Sequence, residues 1–259
     1  MQEIKRPSQL VLIGGGASIR NGLDKGLWGK IENKFVIGIN YSFNHFPDPT
    51  IQMYCDRLFY QKQFEQLKKL GLVIGKKHGK MKLAENTLVF PSTSTYTRNL
   101  DAGIYKAALS GLFSLSLGIY LLDRIGSKEN QIFLLGADYG ELRKKDYEKV
   151  AKNKIELENL SYKDSRSRIL THYYQGEIEH RGIAKTNYYN ENKRAERDYG
   201  PYKDIKNPKI YNVSLQSKIP STIFEKISYD TFFELLDNNI YNQDNLRKLI
   251  KPKLPKYRK

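Results

Sequence analysis

Cysteine and histidine are scarce in this sequence. The chain has 259 residues and a single cysteine, Cys55, so it cannot form an intramolecular disulfide. Only four histidines are present, and no third strong ligand stands at a familiar spacing from His172 and His180. The composition excludes the disulfide-stapled class of protein and disfavours a zinc site.

Long apolar runs are absent as well. Residues 1–9 are polar and charged, without the apolar centre of a signal peptide. The longest apolar stretch, residues 107–122, is interrupted by serine and glycine and is too short to span a bilayer comfortably. We therefore expect a cytoplasmic protein with no membrane span.

Acidic residues are too few to balance the basic ones. Lys and Arg number 44 against 28 Asp and Glu, which gives a net charge of +16. Such a surface attracts polyanions, although charge that merely aids solubility, or lysine enrichment from an AT-rich genome, is the alternative. Residues 247–259 contain seven Lys or Arg and no acid. We expect a basic tail there that binds nucleic acid or another anionic partner through Arg247, Lys248, Lys251 and Lys253.

Short branched apolar runs alternate with helical patterns along the chain. This alternation predicts a Rossmann-like α/β fold, with a mostly parallel sheet and helices on both faces. The predicted strands are 9–13, 34–39, 51–54, 87–90, 131–135 and 209–213. The predicted helices are 17–27, 56–70, 102–122, 229–236 and 244–250. We expect one domain over residues 1–246, with a lid over 141–190 and the basic tail over 247–259.

A glycine-rich loop follows the first predicted strand. Its residues are Gly14, Gly15, Gly16, Ala17 and Ser18. Glycine lets the backbone approach a ligand closely, and the free N–H groups of a following helix favour phosphate. The dinucleotide fingerprint would need another glycine at position 19, and the lysine of a P-loop is missing. The loop predicts a nucleotide phosphate but neither NAD nor a P-loop NTPase, and a tight turn without ligand is the alternative.

Three polar residues follow other predicted strands. Asn40 follows the second strand, where its amide could bind a base or ribose or simply complete a turn. Asp56 follows the third strand, and Asp138 follows the strand at 131–135. The two carboxylates could hold Mg²⁺ or Mn²⁺ on a diphosphate, or Asp138 could act in catalysis, although each alone could be a helix cap or a loop acid.

Two of the histidines lie in a segment rich in tyrosine. His172 and His180 are candidates for the base that takes a proton from an attacking hydroxyl, because the pKa of histidine lies near neutrality. Neighbouring tyrosines such as Tyr173 could steady a phosphate leaving group. A surface loop of polar aromatic residues is the alternative interpretation.

The order of these motifs resembles that of the bacterial sialyltransferases that modify lipooligosaccharides. It is also similar to the related fold of the archaeal-type 6-hydroxymethylpterin pyrophosphokinases, and the likeness points to a phage-type relative in the host cytoplasm. The similarity runs in islands over residues 10–189. The loop at 14–18 matches the family's G-N-G-P-S loop, and Asn40 matches an Asn that contacts the nucleotide. Ala102-Gly103 matches a Ser-Gly pair, and Gly136-Ala137-Asp138-Tyr139 matches the G-I-D-F segment. His172-Tyr173 matches the beginning of the HY-x-x-H stretch, and His180 matches its end if a short insertion is allowed.

The resemblance implies a glycosyltransferase-A-like domain that uses a histidine base and has no essential metal. This chain departs from the family at Gly15, which replaces a donor-binding Asn, and at Ala102, which replaces the Ser. The donor-nucleotide site implied by the resemblance and the loops together comprises Gly14, Gly15, Gly16, Ser18, Asn40, Asp56, Ala102, Gly103, Tyr139 and Tyr173.

Three functions are compatible with these features. The first is a nucleotide-sugar-dependent glycosyltransferase acting on a hydroxyl of a polyanionic acceptor, such as a hydroxymethylated DNA base or an anionic glycan. The second is a pyrophosphokinase of a small hydroxymethyl compound, in which Asp56 and Asp138 hold Mg²⁺ on ATP. The third is a non-enzymatic nucleic-acid-binding protein on the same fold. We expect the first.

Overall fold

One parallel sheet forms the centre of the molecule. A computed structural model describes residues 5–106, 109–138 and 191–257. The strands are β1 Gln9–Ile13, β2 Val36–Ile39, β3 Ile51–Tyr54, β4 Val73–Lys76, β5 Thr87–Phe90, β6 Ser92–Thr93, β7 Ile104–Tyr105, β8 Gln131–Leu135, β9 Lys209–Asn212 and β10 Glu225–Lys226. Eight of them form a sheet in the order β10-β9-β8-β1-β2-β3-β4-β5. Every neighbouring pair is parallel, and β6 and β7 pair separately.

Helices cover both faces of this sheet. They are α1 Ile19–Leu23, α2 Leu27–Ile31, α3 Arg57–Leu67, α4 Ser110–Ile125, α5 Glu191–Tyr199, α6 Tyr229–Leu235 and α7 Gln243–Ile250. The helices α1, α2, α3 and α6 pack on one face, and α4, α5 and α7 pack on the other. The predicted Rossmann-like α/β architecture is confirmed.

The central strand β1 is buried on both sides. Leu10 and Leu12 pack into the apolar cluster under α4, whereas Val11 and Ile13 pack into the cluster under α1 and α2. All four side chains are at most 2% exposed. Full burial of each contributes roughly 2 kcal/mol, so β1 and its neighbours fix the position of the loops that follow them.

The longest predicted helix begins later than the sequence indicates. Instead of 102–122, α4 spans Ser110–Ile125. Gly103 has φ +133° and Lys106 has φ +50°, values that a right-handed helix cannot include. The intervening residues form β7, which pairs with β6. Similarly, the helix predicted over 17–27 divides into α1 and α2 at Gly26, where φ is +75°.

The segment predicted as a basic tail is part of the domain as far as residue 257. Helix α7 continues into a 3₁₀ turn, Lys251–Lys253, and the next residue, Leu254, is buried against α4 and its cluster. The hydroxyl of Tyr257 donates a hydrogen bond to the carbonyl of Leu100 at 2.5 Å. The predicted lid, 141–190, lies outside the described residues. No helix in the described part of the chain combines the length and apolar character needed to cross a membrane.

Candidate functional site

The strand order reverses direction beside β1. From β1 the chain adds β2, β3, β4 and β5 toward one edge, whereas β8 returns to the opposite side of β1. Loops that leave β1 and β8 therefore diverge and open a crevice at their carboxyl ends, where doubly wound sheets bind ligands. The glycine loop, 14–18, follows β1, and the loop at 136–138 follows β8. Two sequence motifs predicted to carry function thus meet at this crevice.

The glycines allow these two loops to touch. The amide of Gly14 donates to the carbonyl of Leu135 at 2.8 Å, and that of Gly16 donates to the carbonyl of Gly136 at 2.9 Å. A Cβ atom on Gly14 would lie 2.8 Å from the carbonyl oxygen of Gly136, and one on Gly16 would lie 2.6 Å from Cγ of Asp138. The close approach of these two loops therefore requires glycine at positions 14 and 16, whatever ligand is bound.

The side chain of Asp138 binds a backbone amide at the start of α1, where the sequence predicts a bound phosphate. Its Oδ2 accepts a hydrogen bond from the amide of Ser18 at 2.9 Å. The protein's own carboxylate thus supplies the negative charge at the start of α1. Within the described residues the amides of Gly15 and Ala17 donate no hydrogen bond.

Several buried polar atoms beside the crevice have no hydrogen-bond partner among the residues that the structure describes. They are Oδ1 of Asp138, the hydroxyls of Ser18 and Ser214, and Oδ1 of Asn212. An unpaired buried polar group costs about 1–3 kcal/mol, so a cluster of them indicates a place where a ligand completes the bonding. Ser214 was missed by the sequence reasoning, although it follows the last predicted strand just as Asn40 and Asp138 follow theirs.

A cavity of about 600 Å³ opens at the carboxyl ends of β8, β9 and β10. Its volume lies within the range of small-molecule sites. We call it the serine pocket and define it by Ser18, Asp138, Ser214, Ser228 and Tyr229, which line it.

Asn40 stands at the end of β2 in a left-handed conformation, with φ +52°. Its carbonyl accepts from Nε2 of Gln52 at 2.8 Å, and its Oδ1 accepts from the hydroxyl of Ser110 at 3.3 Å. Within the described residues its Nδ2 group donates no hydrogen bond. These contacts hold the side chain in place and leave an amide donor available.

Ser110 is a second residue that the sequence reasoning missed. The Ser-Gly pair that actually begins the long helix is Ser110-Gly111, whereas Ala102-Gly103 lies in the turn before β7. The only sequence signal was a Ser-Gly step inside an apolar run, which helical periodicity alone cannot recognise as a helix start.

Cys55 lies beside Ser110, but its thiol has low nucleophilic reactivity. The thiol is 7% exposed, and burial raises its pKa to about 12, against a smaller lowering by its hydrogen bond with Ser110. A thiolate is the nucleophilic form of cysteine, so this residue is not a candidate nucleophile at neutral pH.

Asp56 and Asp138 are not brought together. Asp56 caps α3, and its Oδ1 accepts from the amides of Leu58 at 2.7 Å and Phe59 at 3.3 Å. In the sheet, β3 is separated from β8 by β1 and β2, which is about 14 Å at the usual strand spacing. The described residues also contain no group of three or more His, Cys, Asp or Glu suited to a metal ion. The geometry does not fit a metal shared by Asp56 and Asp138.

Arg247 serves the fold, which contradicts its predicted contact with nucleic acid. Its side chain is buried and forms ion pairs with Asp48 and Asp244. It also donates to the carbonyl oxygens of Thr50 and Pro49. The apolar spacing that buries Leu246 and Ile250 carries Arg247 inward with them. Of the other predicted contacts, Lys248, Lys251 and Lys253 are exposed.

A basic loop that the sequence reasoning overlooked lies at the same end of the sheet as the crevice, where the strands have their carboxyl ends. Residues 76–82 begin at the last residue of β4 and contain four lysines, His78 and no acid. Nε2 of His78 lies 2.6 Å from the carbonyl oxygen of Cys55, which ties the loop to the end of β3.

The two candidate histidines, His172 and His180, lie outside the described residues, as do Tyr139 and Tyr173. Comparison of the chain with protein-family models, curated protein sequences and solved structures finds no match. Fold and site therefore define the class: a doubly wound α/β protein with its candidate site at the switch point between β1 and β8.

Proposed function

We propose that the protein is a glycosyltransferase that transfers a sugar from a nucleotide donor to a hydroxyl of a polyanionic acceptor. One observation carries the proposal: the loops after β1, β2 and β8 end at one crevice, at the switch point of a doubly wound sheet. The motif order that resembles the sialyltransferases is thus compatible with the spatial order of these loops.

The donor nucleotide would bind through neutral hydrogen-bond donors. The amides of Gly15 and Ala17 face no acceptor in the described part of the chain and are suited to phosphate oxygens. The Nδ2 group of Asn40, held in place by Ser110 and Gln52, is suited to a carbonyl of the base or a ribose hydroxyl.

His172 or His180 would act as the base. The histidine takes the proton of the acceptor hydroxyl, the oxygen attacks the anomeric carbon, and the bond from that carbon to the nucleotide breaks. The nucleotide leaves with the electron pair of that bond, and Tyr139 and Tyr173 would steady its phosphate.

The acceptor would lie along the basic loop at 76–82. This loop carries four lysines at the same end of the sheet as the crevice, three strands away from β1, and a chain of net charge +16 favours phosphates or other acidic groups at that surface. A hydroxymethylated base in DNA offers both the hydroxyl and the negative charge, and an anionic glycan is the other acceptor of this kind.

The alternatives receive less support from the geometry. A pyrophosphokinase in which Asp56 and Asp138 hold one metal requires carboxylates that the sheet order separates. A nucleic-acid-binding protein that relies on the C-terminal segment would have to do so without Arg247, which is buried.

A thermal-shift panel tests the proposal. The protein is heated with UDP-, GDP- and CMP-sugars, free nucleotides and ATP, each with and without Mg²⁺. We expect one class of nucleotide sugar to raise Tm, because a ligand that binds only the native state stabilises it. A shift with ATP and Mg²⁺ alone would instead support the pyrophosphokinase, and silence across the panel would support the binding protein.

Matched variants locate the donor and the base. Asn40→Asp keeps the acceptor for Ser110 but replaces the amide donor with a carboxylate, so it should abolish the shift. Asn245→Asp, the same change at an exposed position on α7, should leave the shift unchanged. His172→Gln and His180→Gln should each keep the shift, and the one that removes the base should abolish transfer.

A further inference from the structure

The serine pocket lies beside the glycine loop, on the face of the sheet covered by α1 and α6. Asn21 of α1 and Tyr229 of α6 are among the residues that line it, and Asp138 and Ser214 come from the loops after β8 and β9. The cavity of about 600 Å³ is large enough for one or two sugar-sized rings.

Three residues that line this pocket each carry a buried polar atom with no hydrogen-bond partner in the described part of the chain. Oδ1 of Asp138 is a carboxylate acceptor, and the hydroxyls of Ser18 and Ser214 can each donate or accept. Ser214 is only 5% exposed, so its hydroxyl is withdrawn from bulk solvent, yet it has no partner within residues 5–106, 109–138 and 191–257. A ligand hydroxyl can donate to the carboxylate and accept from a serine at the same time.

The charges of the lining cancel. Lys25 forms an ion pair with Asp230 at 2.6 Å, and Lys218 stands in the lining with Asp138. Two amines and two carboxylates give no preference for an anion, although the molecule as a whole carries +16. The pocket is therefore suited to an uncharged, hydrogen-bonding ligand.

The walls are held in place before any ligand arrives. The amide of Lys218 donates to the carbonyl of Asp138 at 2.8 Å, and the hydroxyl of Ser217 donates to the carbonyl of Ala137 at 2.7 Å. The ring of Tyr229 lies against Gly22, where an added Cβ would come within 2.7 Å of its Cδ1 atom. Such preorganisation lowers the entropic cost of binding a rigid ring.

We propose that the serine pocket binds an uncharged polyhydroxylated ring, with Asp138 accepting a ligand hydroxyl and Ser18 and Ser214 bonding its neighbours. The identity of this ring as a substrate group rests on the proposed function: it is then either the free sugar portion of a substrate or the ribose of the nucleotide. Binding itself is independent of any transfer reaction.

Saturation-transfer NMR on the full chain tests the pocket. The probes are glucose, galactose and N-acetylglucosamine in one arm, and uridine and cytidine in the other, each at millimolar concentration. Transfer to a free sugar identifies a glycosyl subsite, and transfer to nucleoside ribose protons alone identifies a ribose subsite. No transfer to any of the five probes overturns the proposal.

Ser214→Ala separates a binding role from a structural one. It removes a buried hydroxyl that bonds no described residue, so we expect Tm to stay or rise while affinity for the probe falls roughly five-fold, as for one lost hydrogen bond. A lower Tm with an intact probe signal would mean that the hydroxyl is structural and would overturn the proposal. Ser8→Ala, the same change at the opposite end of the strands, should leave the probe signal unchanged.

Asp138→Asn provides a second test. The amide oxygen can still accept from the amide of Ser18, but the proposed acceptor of the ligand hydroxyl becomes a donor, so the probe signal should fall. A signal that survives this variant and Ser214→Ala would contradict the assignment. The nucleotide-sugar panel tests the proposed function separately. A donor shift with no signal from any of the five probes overturns only the pocket, and a probe signal without a donor shift overturns only the transferase.

Discussion

At the scale of single residues, the structure changes the reason why the glycine motif matters. The sequence predicts that its glycines let a phosphate approach the backbone, whereas Gly14 and Gly16 make room for the loop after β8. Sequence reasoning places Asn40 and Asp138 at strand ends correctly, because a strand followed by a polar residue is a local pattern. It could not predict that Asp138 bonds Ser18, since the two residues are 120 positions apart in the chain.

Gly16→Ala tests this interpretation of the loop. The added methyl would collide with the Asp138 carboxylate, and we expect the free energy of unfolding to fall by about 1–3 kcal/mol. Chemical denaturation measures the difference. Gly29→Ala is the matched control: it lies in α2 with open space around it and should stabilise the protein by up to about 1 kcal/mol. Equal effects of the two variants would argue against loop contact as the role of Gly16.

Cys55 gives a prediction about reactivity. Because burial raises the pKa of its thiol to about 12, the thiolate is rare at pH 8 and iodoacetamide should label the native protein very slowly. The same reagent should label the denaturant-unfolded chain quickly, and mass spectrometry follows both reactions. Equal rates in the two states would show that the thiol is accessible.

At the scale of elements, strands with clear boundaries were predicted well. The bounds of β1, β3, β5 and β8 agree with the predicted ranges, because each is a short, mostly apolar run that begins after a polar residue and ends near a glycine, a proline or an acid. Strand β4 was missed because Gly75 interrupts its pattern. In the sheet that glycine accommodates the ring of Tyr54, since a Cβ would lie 2.6 Å from its Cε2 atom. This long-range contact leaves no local sequence signal.

The C-terminal segment yields a prediction about stability. A chain ending at residue 246 would lose buried Arg247, Ile250 and Leu254, and we expect it to be destabilised by at least about 4 kcal/mol. A chain ending at residue 257 should unfold at the same denaturant concentration as the full chain. If the shorter chain were equally stable, the segment would behave as the free tail that its composition predicts.

At the scale of the whole molecule, the sequence gives the net charge directly but does not say which surface carries it. The net charge of +16 predicts an anionic partner, but the burial of Arg247 shows that a run of basic residues does not identify the surface that meets it. The basic loop at 76–82 lies at the same end of the sheet as the crevice only because β4 runs parallel to β1, which is a property of the sheet.

Binding to duplex DNA distinguishes the two basic surfaces. The pair Lys77→Glu and Lys80→Glu should weaken binding roughly ten-fold or more at moderate salt and reduce its salt dependence. The matched pair Lys248→Glu and Lys251→Glu makes the same change in net charge on the C-terminal surface and should have a smaller effect. Fluorescence anisotropy over a series of salt concentrations measures both. A larger loss from the second pair would assign the contact to the C-terminal segment.

The side chain of Gln9 has a consequence for how the chain folds. Nε2 bonds Gln131 at 2.6 Å and the carbonyl of Leu235 at 2.7 Å, while Oε1 accepts from the amide of Asp237 at 2.8 Å. The first strand is therefore completed by partners synthesised more than a hundred and more than two hundred residues later. Contacts of such high sequence separation slow folding. On the ribosome, the edge of β1 that receives β8 stays unpaired through half of synthesis, and this stretch is where a chaperone would engage the nascent chain.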